Sequence, residues 1–134
     1  MIFCIDFDNT CCFEEFPMLG KSVPNAINVL RKLSKNNNLI LWTARTGKQL
    51  EDAENWFFKN NIKLSASNEN VITKEYLELK RLYGECRKIV PDFYIDDKNF
   101  GCPLKKYRNK KTNKVYEVVD WFKIEEILKE KSIL

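Results

Sequence analysis

An α/β fold built around a mainly parallel sheet is what the sequence predicts, and three observations predict it. Short, nearly continuous apolar runs such as "IFCIDF" and "LILWT" read as strands buried on both faces. Between them lie segments whose apolar residues recur at helical spacing. The two kinds of segment alternate, and strand, helix, strand, helix in that order argues for right-handed crossovers with helices on both faces of the sheet, a three-layer sandwich. At 134 residues and 44% hydrophobic content, residues 1–134 suit a single domain that buries roughly 68% of its unfolded surface.

The elements follow in order. Ile2 to Phe7 is the first, central strand, and the stretch "TCCFEEFPMLGKSV" after it is a loop. Pro24 sits where a first helical turn tolerates it, and Ala26, Ile27, Leu30 and Leu33 carry the helical period to the stop signal "KNNN". Leu39 to Thr43 is a second buried strand. "TGKQ" from Thr46 has the capping-box pattern and opens a helix with Leu50, Ala53 and Phe57 facing inward. "NIKLSAS" reads as a third strand, Thr73 to Tyr83 as a helix and "DFYIDD" as a fourth strand. "KVYEVV" and the amphipathic "DWFKIEEILKE" finish the chain, with Asp120 as N-cap. Trp42 and Trp56 are read as core residues.

Composition bounds the function. The 23 basic and 19 acidic residues leave a net charge of +4, too mild to identify nucleic acid as the partner. Five cysteines without a CxxC pair, and no histidine, fit neither a disulfide framework nor a zinc site. A reducing cytosol is the simplest home for such a chain. No basic leader with a long apolar stretch opens the sequence, and no run approaches the roughly 18 apolar residues of a membrane span. A cytoplasmic, unexported protein with no membrane partner is expected. Cys11 and Cys12 read as loop or packing residues rather than redox centres. The one compositional shift is "KKYRNKKTNK" from Lys105 to Lys114, six of ten residues basic and none acidic. It reads as a surface loop or hairpin arm, more often a solvated edge than a nucleic-acid site.

The chemistry gathers where strands end. In open parallel sheets, ligands bind beyond the carboxyl ends of the strands, and there the sequence places acids. Asp6 and Asp8 are two apart, so an extended backbone points both to one side. "FYIDD" brings Asp96 and Asp97 to the same rim if its strand neighbours the first. Four carboxylates in one pocket raise one another's pKa values, and a hard divalent cation resolves the conflict. An oxygen-only ligand set favours magnesium, which also binds substrate phosphate. Thr43 closes "LILWT" with a hydroxyl. The backbone N–H groups after it, from Ala44 on, and the amino end of the helix near Thr46 make a phosphate cradle. Lys88 supplies a mobile positive charge, with Arg87 and Lys80 as competitors. Arg45 is open to substrate contact, to a salt bridge or to a solvated surface.

These residues resemble the haloacid dehalogenase superfamily phosphatases. "DFDNT" looks like their DxDxT motif, "LILWT" like the hydrophobic-then-Thr motif, Lys88 like the motif III lysine and "FYIDD" like the acidic motif IV. The resemblance spans residues 1 to about 104. It implies a Rossmann-like fold of the small capless type, also found among bacterial and phage members and similar to deoxyribonucleotidases. By that resemblance Asp6 is the nucleophile that forms an aspartyl-phosphate and a magnesium ligand, while Asp8 is the general acid and base, binding metal through its carbonyl. Asp97 and Asp96 complete the metal site, either being the direct ligand. Thr43, Ala44, Arg45, Lys88 and Asn9 lie on the substrate-binding side, and Thr10 orients the loop. Asn9 stands where the family commonly has Gly, a position where Asn tolerates left-handed backbone.

The function so implied is a magnesium-dependent phosphomonoester hydrolase acting on small phosphorylated metabolites or nucleotides. A nucleic-acid end phosphatase is the alternative within the enzyme class. A non-catalytic domain that keeps the metal- and phosphate-binding pocket is the alternative outside it.

Overall fold

The computed structural model describes all 134 residues. In chain order its elements are β1 (Ile2–Ile5), β2 (Cys12–Glu15), β3 (Met18–Ser22), α1 (Ala26–Leu33), β4 (Asn38–Leu41), α2 (Gly47–Lys59), β5 (Ala66–Ser67), α3 (Lys74–Tyr83), β6 (Phe93–Ile95), β7 (Leu104–Arg108), β8 (Val115–Val119) and α4 (Trp121–Glu130). The chain is α/β around a parallel sheet of order β5-β4-β1-β6. In register, Cys4 sits between Ile40 and Tyr94, and Ile5 between Leu41 and Ile95. No helix is long and apolar enough to cross a membrane.

The strand order fixes the layers. From β1 the chain steps to β4 and on to β5, then returns across the sheet to β6. Right-handed crossovers therefore place α1 and α2 on one face and α3 on the other. Helices cover both faces as expected, but the two layers are unequal. Alternation in the strands sends Phe3, Ile5, Leu39 and Leu41 into a core of 23 buried residues with Leu30 and Leu33 of α1, Ala53, Trp56 and Phe57 of α2, and Trp121 and Leu128 of α4. Cys4 and Ile40 face the other way, where only Ile89 joins them as a buried residue. α3 buries none of its side chains.

Several predicted boundaries need correction. The first strand ends at Ile5 rather than Phe7, because the Phe7 carbonyl turns inward to accept from the N–H groups of Thr10, Cys11 and Cys12. The strand in "LILWT" ends at Leu41, although the Trp42 N–H still donates to the Ile5 carbonyl at 2.8 Å, and Trp42 lies 39% exposed rather than in the core. Trp56 is buried as expected and donates to Ser22 Oγ at 3.1 Å. Of "NIKLSAS" only Ala66 and Ser67 are strand. Thr46 is at the N-cap of α2, but its side chain makes no capping hydrogen bond. Thr73 does cap α3, accepting from the Tyr76 N–H at 3.0 Å, and Asp120 caps α4 through Phe122 and Lys123.

The largest departure is the stretch expected to be a loop after the first strand. It is an antiparallel hairpin, β2–β3. Its apolar residues Phe16, Met18 and Leu19 are exposed, so no hydrophobic period announced it. Gly20 is required there, because a Cβ would stand 1.9 Å from the Phe13 carbonyl oxygen. The basic arm is a second hairpin, β7–β8, whose base is held by the Val119 N–H donating to the Asn9 carbonyl at 2.9 Å. The two hairpins lie against each other, Phe13 packing edge-on against Tyr107 and Tyr116.

Candidate functional site

The strand order reverses between β1 and β6, and in open α/β sheets such a switch point leaves a crevice beyond the carboxyl ends. Asp6 follows β1 and Asp96 and Asp97 follow β6, so two neighbouring strands deliver three carboxylates to that crevice. One oxygen from each of the three falls within 4.8 Å of the others. All are half-buried. Burial pushes the Asp6 carboxyl up to about 7; the Thr10 hydroxyl and the Phe7 N–H oppose the rise, while the charges of Asp96 and Asp97 add to it. Asp97 is also raised, by burial first, with Lys98 at 3.3 Å working against it. An all-oxygen set whose members raise one another's proton affinity has the chemistry to hold a hard divalent cation.

Thr10 ties the two acidic segments together. Its buried hydroxyl donates to Asp6 Oδ2 at 2.8 Å and accepts from the Asp97 N–H at 3.2 Å. Its carbonyl in turn accepts from the indole N–H of the buried Trp121 at 2.6 Å. The loop is thus fixed from below by the first residue of α4.

Asp8 is not in the cluster, which corrects the expectation of four carboxylates at one rim. Its two oxygens accept from Arg45 Nε at 2.8 Å and Nη2 at 2.7 Å. Arg45 is itself only 2% exposed. Its remaining contacts are the carbonyls of Pro17 at 3.3 Å and Met18 at 2.9 Å, and its guanidinium carbon lies 5.2 Å from the Phe7 ring centroid and 5.3 Å from that of Phe16. Of the three readings left open for Arg45, the salt bridge is formed and the solvated surface is not. The Asp8 carbonyl accepts no backbone hydrogen bond.

Thr43 sits at the end of β4 with its N–H donating to Asn68 Oδ1 at 2.9 Å and its hydroxyl accepting from the Arg45 N–H at 3.1 Å. Ala44 is exposed, and its N–H has no acceptor within the chain. Asn9 does adopt the left-handed conformation, φ 59°, but its side chain accepts from the Glu14 N–H at 3.0 Å and shapes the turn into β2 instead of facing a ligand. Lys88 is exposed with its ammonium 5.9 Å from the Tyr94 ring centroid. Lys80 pairs with Glu85, and none of Lys80, Arg87 and Lys88 is ion-paired with Asp6, Asp96 or Asp97. The cation nearest the cluster is Lys98, which sequence reading passed over although it directly follows the acidic pair. Asn68 and Trp121 were passed over too. Asn68 carries a faint signal as an asparagine in a polar turn, φ 54°, whereas Trp121 lies 111 positions from its partner and carries none.

No protein-family model matches the chain, and no curated protein does. Among solved structures, a conserved protein from Bacteroides thetaiotaomicron is similar, with a TM-score of 0.72 and 28% sequence identity over 98% of this chain and 91% of that one. The α/β architecture is therefore shared along nearly the whole length.

Proposed function

We propose that the chain is a divalent-metal-dependent phosphomonoesterase of the haloacid dehalogenase type, with Asp6 as nucleophile. The observation that carries this reading is the convergence of Asp6, Asp96 and Asp97 at the switch point between β1 and β6, flanked by Asp8 and Thr43. Asp6, Asp96 and Asp97, with the Asp8 carbonyl, would hold magnesium. When bound, the ion neutralises the carboxylates and withdraws charge from the phosphoryl oxygens.

Asp6 attacks phosphorus in line. Its carboxylate oxygen forms the new P–O bond as the bond to the leaving oxygen breaks, giving an aspartyl-phosphate. Asp8 delivers a proton to that leaving oxygen and later takes one from the water that attacks phosphorus, releasing inorganic phosphate and restoring Asp6. Both Asp8 oxygens are held by Arg45, so proton delivery requires one of those bonds to yield as substrate enters. The Thr43 hydroxyl and the free Ala44 N–H hold the transferring group. Thr10 keeps Asp6 aimed by its hydrogen bond.

The test is hydrolysis of an aryl phosphate with magnesium, with excess chelator, and by Asp6→Asn. Turnover lost in both latter cases supports the reading. Full turnover in chelator, or in Asp6→Asn, overturns it. No turnover on aryl phosphates, sugar phosphates, nucleotides and phosphorylated oligonucleotides alike would leave a phosphate-binding domain in its place.

A further inference from the structure

The second hairpin carries a run of cations only partly matched by carboxylates. Lys106 and Arg108 alternate on one face of β7, and Lys110 and Lys111 occupy the turn; all four are exposed. Arg108, Lys110 and Lys111 have no carboxylate within 4.0 Å, and Lys106 has only Glu117 at that limit. The opposite face is anchored, with Tyr107 and Tyr116 packed on Phe13. Lys114 reaches the Glu14 carbonyl at 3.5 Å. The cations are therefore displayed on a two-stranded ribbon whose base is tied to the Asn9 carbonyl and which extends about 14 Å at the usual rise per strand residue.

The tip of the first hairpin offers a different surface. Phe16 lies against the buried Arg45 guanidinium, which fixes it next to Asp8, yet it is 57% exposed. An exposed aromatic ring beside Asp8 and a separate ribbon of cations, three of them without a carboxylate partner, supply the two requirements of a sequence-tolerant single-strand site, a stacking platform and a positive track.

We propose that the substrate is the phosphate-bearing end of a single-stranded nucleic acid, its terminal base stacking on Phe16 and its backbone following Lys106, Arg108, Lys110 and Lys111. The catalytic half of this assignment rests on the phosphomonoesterase reading; the binding half does not.

Two measurements separate them. Binding of a phosphorylated decathymidylate to Asp6→Asn protein, which leaves the ligand intact, is followed against salt with and without Lys106→Gln, Arg108→Gln, Lys110→Gln and Lys111→Gln together. The expected result is affinity weakened at least tenfold and a log–log salt slope shallower by about 3, from four cations at about 0.7 each. The milder pair Lys110→Gln and Lys111→Gln, confined to the turn, should flatten it by about 1.4. Turnover is then compared on the same oligonucleotide, thymidine monophosphate and an aryl phosphate. The oligonucleotide should be preferred over the mononucleotide at least tenfold, and the fourfold variant should lose that preference. An unchanged salt slope, or equal binding of anionic lipid vesicles and oligonucleotide, overturns the proposal. Arm-dependent binding without turnover of any substrate overturns the phosphatase reading and leaves the ribbon a nucleic-acid site.

Discussion

Arg45 holds Asp8 by both carboxylate oxygens, at 2.7 and 2.8 Å, and through the carbonyls of Pro17 and Met18 it holds the tip of the β2–β3 hairpin as well. One buried guanidinium thereby joins the proposed proton-transfer group to the segment that borders the site. Because charge-assisted bidentate pairs are directional, replacing the arginine should disturb both.

Arg45→Met is expected to destabilise the fold by on the order of 3 kcal/mol, at the low end for a broken buried pair because Asp8 keeps 23% of its side chain in water. Asp8→Asn should slow turnover by roughly 100-fold to 10,000-fold, more on alkyl than on aryl phosphates, since only poor leaving groups need the proton. Kinetics on the two leaving-group classes, with thermal unfolding of each variant, decide it. Equal losses on both classes would mean that Asp8 serves structure alone.

For Asp6 the pH dependence has a definite sign. Its pKa is about 7 in the fold against an ordinary 3.8. Between those values the folded state keeps a proton that the unfolded chain has released. The metal-free protein therefore loses stability as pH rises from about 4 to 7, by at most about 4 kcal/mol, and levels off above. Asp6→Asn should remove this decline, so the variant gains on the wild type across that window. Magnesium should restore the wild type at pH 7 and leave the variant less affected. Melting temperatures from pH 4 to 8, with and without magnesium, measure it; parallel curves would refute it.

Trp121→Phe keeps an aromatic ring, removes the N–H that serves the Thr10 carbonyl and leaves a small cavity where the rest of the indole was. A buried carbonyl left without its donor costs about 1–3 kcal/mol. Through Thr10 the change should also loosen Asp6, lowering kcat more than it raises KM. Denaturant unfolding and steady-state kinetics report the two effects. A stability loss with unchanged kcat would show that the indole supports the fold only.

Glu125 provides a contrasting acid limb. The Asn25 amide, then Lys32 and Lys129, hold its carboxyl down to about 2, and its side chain is 14% exposed. A depressed carboxyl stabilises the fold above its unfolded value and loses that contribution as pH falls through the folded one. The Glu125→Gln variant should therefore be less stable than the wild type at pH 6 and close the gap between about pH 4.5 and 2. A constant gap across that range would contradict the assignment.

The sequence by itself determined the alternation of elements, the parallel sheet and the acids at the strand ends. Apolar runs, helical periods and strand-end polarity are local properties, and "DFDNT", "LILWT" and "FYIDD" each carry their own. Asn9, noted as a residue that tolerates left-handed backbone, does adopt it. Only the tertiary structure decided which groups meet. Asp8 and Arg45 are 37 positions apart and Trp121 and Thr10 are 111 apart, and no periodicity links such pairs. Which of the acids share the crevice depended on the strand order, which sets β6 beside β1. The β2–β3 hairpin escaped notice because its exposed Phe16, Met18 and Leu19 give no pattern to read; it is held by hydrogen bonds across the strands and by a cation from a distant loop.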